Sequence, residues 1–143
     1  MKAGMMIALL ALGTAGCSEP VAEKVGEAEA ASAEIDTAGY DIAVRCQASF
    51  DAVARLYKIL SEQATGAERE EMAATATQRS AAAEAYRGIA RSVGTKLGRS
   101  GADVDAAIKA AAGTVDAEFE KRPFEDFASW VAQEADRCPP PST

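Results

Sequence analysis

From Tyr40 to about Pro139 the apolar residues return every three or four positions, and that spacing dictates helices. Ile42, Cys46, Phe50, Val53, Tyr57 and Leu60 fall on one helical face, and Leu56 and Ile59 widen it enough to touch two neighbours. Thr65-Gly66 interrupts the stripe, with Gly66 suited to a left-handed C-terminal cap. A second helix opens near Ala67, where Glu68, Glu70 and Glu71 suit the positive end of a helix dipole. Its stripe is Met72, Ala76, Ala83, Tyr86, Ala90, Val93 and Leu97, with Ile89 beside it. Arg79 or Ser80 fills the one turn without an apolar residue, so the helix bends or runs past its partners there. Gly88, Gly94 and Gly98 either allow close helix contact or mark early fraying.

Ser100 is placed to cap a third helix, with Asp103 and Asp105 adding negative charge to its first turn. Val104, Ile108, Ala111, Val115 and Phe119 form its apolar face, and Lys121 and Arg122 sit at its favourable C-terminal end. Pro123 ends that helix and suits the first turn of a fourth, whose face is Phe124, Phe127, Val131, Ala135 and Cys138, with Trp130 one step aside. Pro139-Pro140-Pro141 stops it. Short connections predict an all-α fold, a small up-down-up-down four-helix bundle. In that order the start of the first helix lies beside the end of the fourth, which predicts a Cys46–Cys138 disulfide. Alanine-rich runs such as Ala81-Ala82-Ala83 bury few methylenes. Phe50, Tyr57, Tyr86, Phe119, Phe124, Phe127 and Trp130 are therefore expected to supply much of the core.

The leader fixes the compartment. Lys2, the apolar run Met5 to Leu12, and the small residues Gly13-Thr14-Ala15-Gly16 have the three-part layout of a secretory signal. Eight helical residues rise only about 12 Å, far less than the hydrocarbon core of about 30 Å, so residues 1–16 read as a signal peptide, not a span. Thr14-Ala15-Gly16-Cys17 resembles a bacterial lipobox, in which signal peptidase II cuts before the cysteine, although Thr14 stands where leucine is commonest. The resemblance covers only the leader and implies lipidation of Cys17. An ordinary signal cut after Ala15 is the other reading of the same residues. Ser18 resembles the outer-membrane sorting residue of Gram-negative lipoproteins. With Cys17 consumed by lipid, Cys46 and Cys138 remain as an even pair in an oxidising compartment.

Residues 17–39 read as a lipidated N-terminus followed by an acidic Ala/Glu-rich tether, mobile or transiently helical, with a docked extra helix as the alternative. Residues 40–139 form the bundle and 140–143 a disordered tail. The formal net charge is −7, and loss of the leader, which carries Lys2 and no acid, makes the remainder more negative. Such a body repels nucleic acid and favours cationic partners, or is simply kept soluble by its charge.

Catalytic chemistry is hard to place. The chain has no histidine, the commonest general base and metal ligand. With Cys17 lipidated and the other two paired, no thiol nucleophile remains. No phosphate-cradling glycine loop, zinc pattern or nucleophile elbow occurs. Asp103-x-Asp105 is too small a fragment of a calcium loop, and helix-start acids explain it. Arg87 and Arg91 beside Tyr86 form an anion clasp or a solvated face offset by Glu84. The expectation is a lipid-anchored helical protein of the cell envelope, in the outer membrane facing the periplasm, without catalytic residues, cofactor or metal. Its role is binding or structural, with a possible envelope partner of cationic character. The alternative is an acidic inhibitor or immunity-type protein that neutralises a cationic envelope-active enzyme. An enzyme with carboxylates converging in a pocket ranks third, and the oligomeric state is open.

Overall fold

The computed structural model describes residues 21–141, with side chains at positions 32, 34 and 36–141. Four helices account for nearly all of it: α1 (Val21–Gln63), α2 (Gly66–Lys96), α3 (Gly101–Lys121) and α4 (Phe124–Asp136). No strand occurs among the described residues, in keeping with an all-α fold. The signal segment 1–16, Cys17, Ser18 and tail residues 142–143 lie outside the described residues.

The first helix begins earlier than its apolar stripe. The segment expected as a mobile or transiently helical tether is helical from Val21, so the boundary placed at Tyr40 falls inside α1. Propagating an existing helix adds one hydrogen bond per residue without a new nucleus, and Ala and Glu are good helix formers. Of the side chains described before Tyr40, Ser32, Glu34, Thr37 and Ala38 are exposed, whereas Tyr40 itself is only 2 % exposed. At 43 residues α1 is about 65 Å long, against about 46 Å for the 31-residue α2.

Helix α1 is the shared axis. It packs against α2, α3 and α4, while α2 and α4 make no contact with each other among the described residues. Between Ala43 and Ala54 every residue except Arg45 and Asp51 is buried, including Gln47 and Ser49. A one-sided stripe is thus the wrong picture for this stretch; a helix enclosed all round is buried by neighbours on each side. Its alanines and serine allow those neighbours to come close, and the Ser49 hydroxyl is satisfied by donating to the Arg45 carbonyl at 3.1 Å. Two residues assigned to the stripe lie outside the core instead, Ile42 at 36 % exposed and Ile59 at 49 %.

Against α1, helix α2 buries Ala83, Tyr86, Ala90 and Gly94. The Phe50 and Tyr86 rings stack with centroids 5.5 Å apart. Arg79 occupies the turn that lacks an apolar residue, its guanidinium 5.5 Å above the Phe50 ring. The three glycines of this region differ in role. Gly98 ends the helix at φ +72°, with Arg99 N–H donating to Gly94 O at 2.8 Å and Gly98 N–H to Thr95 O at 3.0 Å. That paired pattern is a Schellman cap. At Gly94, α2 meets both α1 and α3: a Cβ there would lie 2.8 Å from Val104 Cγ2 and 3.2 Å from Tyr40 Cε2. Gly88 is not buried, and a methyl group added to it would meet nothing within 4 Å.

The remaining helices start and stop where local chemistry directs. Gly66 is left-handed, φ 61°, but as the first residue of α2 and not as the C-terminal cap of the first helix, which already ends at Gln63. Ser100 caps α3 through a reciprocal box: Asp103 N–H donates to Ser100 Oγ at 3.2 Å, and Ser100 N–H donates to Asp103 Oδ2 at 3.0 Å. Helix α3 buries Val104, Ile108 and Val115, and α4 buries Phe127, Val131 and Ala135. Phe119 and Phe124, expected in the core, are instead 50 % and 44 % exposed. They flank the Pro123 break, where α3 has run past its buried Val115 and α4 has not yet reached its buried Phe127.

Opposite outcomes are expected at two glycines of one helix. G94A should overpack the Tyr40–Val104 junction and cost about 1–3 kcal/mol. G88A, in a helix interior with open space around it, should stabilise by about 0.5–1 kcal/mol. Urea unfolding of both variants decides; equal effects would contradict the assignment of Gly94 to a three-helix contact.

Candidate functional site

The two cysteines are joined. Cys46 and Cys138 form a disulfide with Cα atoms 5.8 Å apart, closing a sequence separation of 92 residues. Cys46 is fully buried in the middle of α1, and Cys138 lies just beyond α4. In the chain-entropy model a loop of this length is worth about 4–5 kcal/mol, a large part of a small domain's stability. One residue further on, the Pro139 carbonyl accepts a hydrogen bond from the Tyr86 hydroxyl. The segment just beyond α4 is therefore tied to both α1 and α2.

The polar constellations read from the sequence are held within the fold. Asp103 belongs to the Ser100 cap, and Asp105 accepts from Arg91 at 2.9 Å across α2 and α3. Arg87 pairs with Glu84 at 3.7 Å, so the two arginines do not converge on a common anion. Among the described residues no three His, Cys, Asp or Glu side chains are grouped as a metal site requires. Cys17 lies outside the described residues.

What the sequence did not point to is an apolar cleft where α1, α3 and α4 meet. Ala52, Leu56 and Ile59 of α1, Phe119 of α3, and Phe124 and Phe127 of α4 line a volume of about 170 Å³. Phe119 sets its ring edge-on to Phe127, centroids 5.0 Å apart, which fixes both at the cleft wall. Arg55 stands at the rim, bonded to Asp116 at 3.1 Å and facing Asp51 at 3.3 Å. Periodicity places Phe119 and Phe124 on core-facing stripes, and so conceals them. The available signal is their position on either side of a proline break, where two helices diverge and cannot both cover their ends.

Among the described residues three groups have displaced acidities. The Ser100 hydroxyl, then the Ser100 backbone N–H, hold Asp103 below the ordinary carboxylate value. Lys121, then Arg122, do the same for Glu118 by donating to its two oxygens. Burial raises Tyr86 above its ordinary 10.0.

Comparison of the chain with protein-family models, curated proteins and solved structures gave no match. The fold and the site define a class by themselves: a disulfide-stapled helical bundle with an open apolar cleft at one helix junction.

Two of the displaced acidities impose opposite pH dependences. Folding holds the Tyr86 proton more tightly, so its contribution is complete below pH 10.0 and fades as pH rises through the higher folded-state value. Folding releases the Asp103 proton more readily, so its contribution is complete above the ordinary carboxylate range and fades as pH falls. Urea-unfolding free energies measured across pH should show a shallower alkaline decline for Y86F and a shallower acid decline for D103N. Curves parallel to wild type would contradict both attributions.

Proposed function

We propose that the protein is a lipid-anchored envelope component with a non-enzymatic binding or structural role. Residues 1–16 act as a signal peptide, and Cys17 carries the lipid in the outer membrane, facing the periplasm. What supports the anchor is the lipobox resemblance of Thr14-Ala15-Gly16-Cys17, followed by Ser18. A bonded Cys46–Cys138 pair accords with an oxidising compartment.

The observation that carries the binding role is the cleft. The charged residues singled out in the sequence, Asp103, Asp105, Arg87 and Arg91, are spent on a cap and ion pairs, whereas large apolar side chains converge, exposed, on one surface. The helix directions also suit presentation of that surface, and we infer the up-down-up-down order. It is supported by Tyr40 lying near Gly94, Phe50 on Tyr86, Arg55 on Asp116 and Cys46 on Cys138. In that arrangement residues 21–39, as helix, hold the bundle away from the lipid surface.

The second reading, an acidic inhibitor of a cationic envelope enzyme, is favoured by the net charge of −7. Salt separates the two readings: association with an envelope protein through the cleft resists salt more than capture of a basic enzyme by charge alone.

Expression of the full chain in a Gram-negative host tests the anchor. Intact-mass analysis should find an acylated Cys17 in the membrane fraction, and C17S should release the protein from that fraction. An unacylated wild-type chain beginning before or at residue 17, or membrane retention of C17S, would contradict it.

A further inference from the structure

The chemistry around the cleft specifies the kind of partner it takes, an inference that rests on the binding role proposed above. Four large apolar side chains are exposed among the described residues, and Ile59, Phe119 and Phe124 all line this one cleft. Singly scattered apolar residues need no explanation, but a shared concave patch marks a contact surface. The volume of about 170 Å³ sets the size of the guest. A cavity of about 150 Å³ takes a benzene-sized molecule, so this cleft admits one aromatic or branched aliphatic side chain and not the length of an acyl chain.

Charge then selects what surrounds that side chain. Arg55, the cation of the lining, is shared between Asp51 and Asp116. Lys121 and Arg122, which follow Phe119, both bind Glu118. By contrast Glu62, Glu120 and Glu125, each within one helical turn of Ile59, Phe119 or Phe124, are exposed and have no ion-pair partner among the described residues. Lys58, beside Ile59, is exposed without an ion-pair partner among the described residues, and Lys121 and Arg122 share the one Glu118, but with Asp51, Asp116, Glu118, Asp126 and these three glutamates the acids around the cleft outnumber the cations, so the surplus is acidic. A second copy of this chain would bring the same surplus against itself in a two-fold contact, which disfavours self-association.

We propose that the cleft docks a basic amphipathic helix of an envelope protein. One large apolar side chain of that helix sits between Phe119 and Phe124, and Lys or Arg on its adjoining turns face Glu62, Glu120 and Glu125. The apolar anchor supplies most of the affinity, and the acidic surplus on the adjoining turns supplies orientation and discrimination.

The test uses the full chain with two synthetic probes, an amphipathic Leu/Lys peptide of about five helical turns carrying one Trp, and its Leu/Glu counterpart. Calorimetry should show the basic peptide binding at least about tenfold more tightly than the acidic one. F119S/F124S should weaken it by about tenfold or more. E62K/E120K/E125K, which leaves the apolar lining untouched and guards against misfolding of the first variant, should remove the preference for the basic peptide and its salt dependence. Equal binding of both peptides, or variants that bind as wild type, would overturn the proposal. So would a dimer in sedimentation that F119S/F124S dissolves, since the occupant would then be a second copy.

Photo-crosslinkers placed at Phe119 and, remote from the cleft, at Gln78 separate this proposal from the reading beneath it. A basic helical segment captured from Phe119 in cells supports both. Capture from Gln78 alone removes the cleft and leaves a binding role, and capture from neither removes both.

Discussion

Enclosure of α1 between Ala43 and Ala54 governs how the other three helices pack. A helix buried round its circumference must offer small side chains wherever a neighbour's backbone comes close, and this one offers Ala43, Ala48, Ser49, Ala52 and Ala54. Small contacts bury little apolar area per turn, so the fold relies on a few larger groups placed between them. Tyr40 fills the junction with Gly94 and Val104, Phe50 stacks on Tyr86, and Val131 and Phe127 bring α4 in. Helix α4 has only 13 residues and touches α1 and α3 alone, which makes the covalent tie at Cys46 its strongest hold.

That arrangement explains how an open apolar surface can coexist with a modest core. Fixing the far end of α4 through Cys138 and Pro139 positions its other end, where Phe124 and Phe127 meet Phe119. The cleft is therefore a product of where α3 and α4 diverge at Pro123 and of how α4 is pinned against α1. Its apolar lining remains open because no residue of the described chain covers Ile59, Phe119 and Phe124 fully.

Much of this is legible from the residues, in proportion to how local the governing physics is. Helix ends depend on one or two side chains, and Gly66, Ser100 and Pro123 mark them where they occur. The Cys46–Cys138 pair follows from helix order and cysteine count. Burial is a tertiary property, and there the stripes mislead. Spacing assigns a residue to a face but not to a neighbour long enough to cover it, hence Ile42, Ile59, Phe119 and Phe124. Glycine carries no hydropathy signal, so Gly94 takes the buried position that the stripe assigns to Val93, with Val93 partly buried beside it. The start of α1 at Val21 is hidden for a different reason: helix propagation needs only favourable propensity, not an apolar stripe.

Residue-resolved amide hydrogen exchange, on oxidised protein and after reduction by a dithiol, shows whether α1 is enclosed and whether the disulfide holds α4 to it. Exchange should be slowest in α1 from Ala43 to Ala54 and in the α2 turns from Ala83 to Gly94, in both states. Reduction should strip protection selectively from Phe127 to Asp136. Protection of α4 that survives reduction undiminished, or α1 and α2 losing theirs together with it, would contradict an enclosed central helix to which the fourth is held by the disulfide.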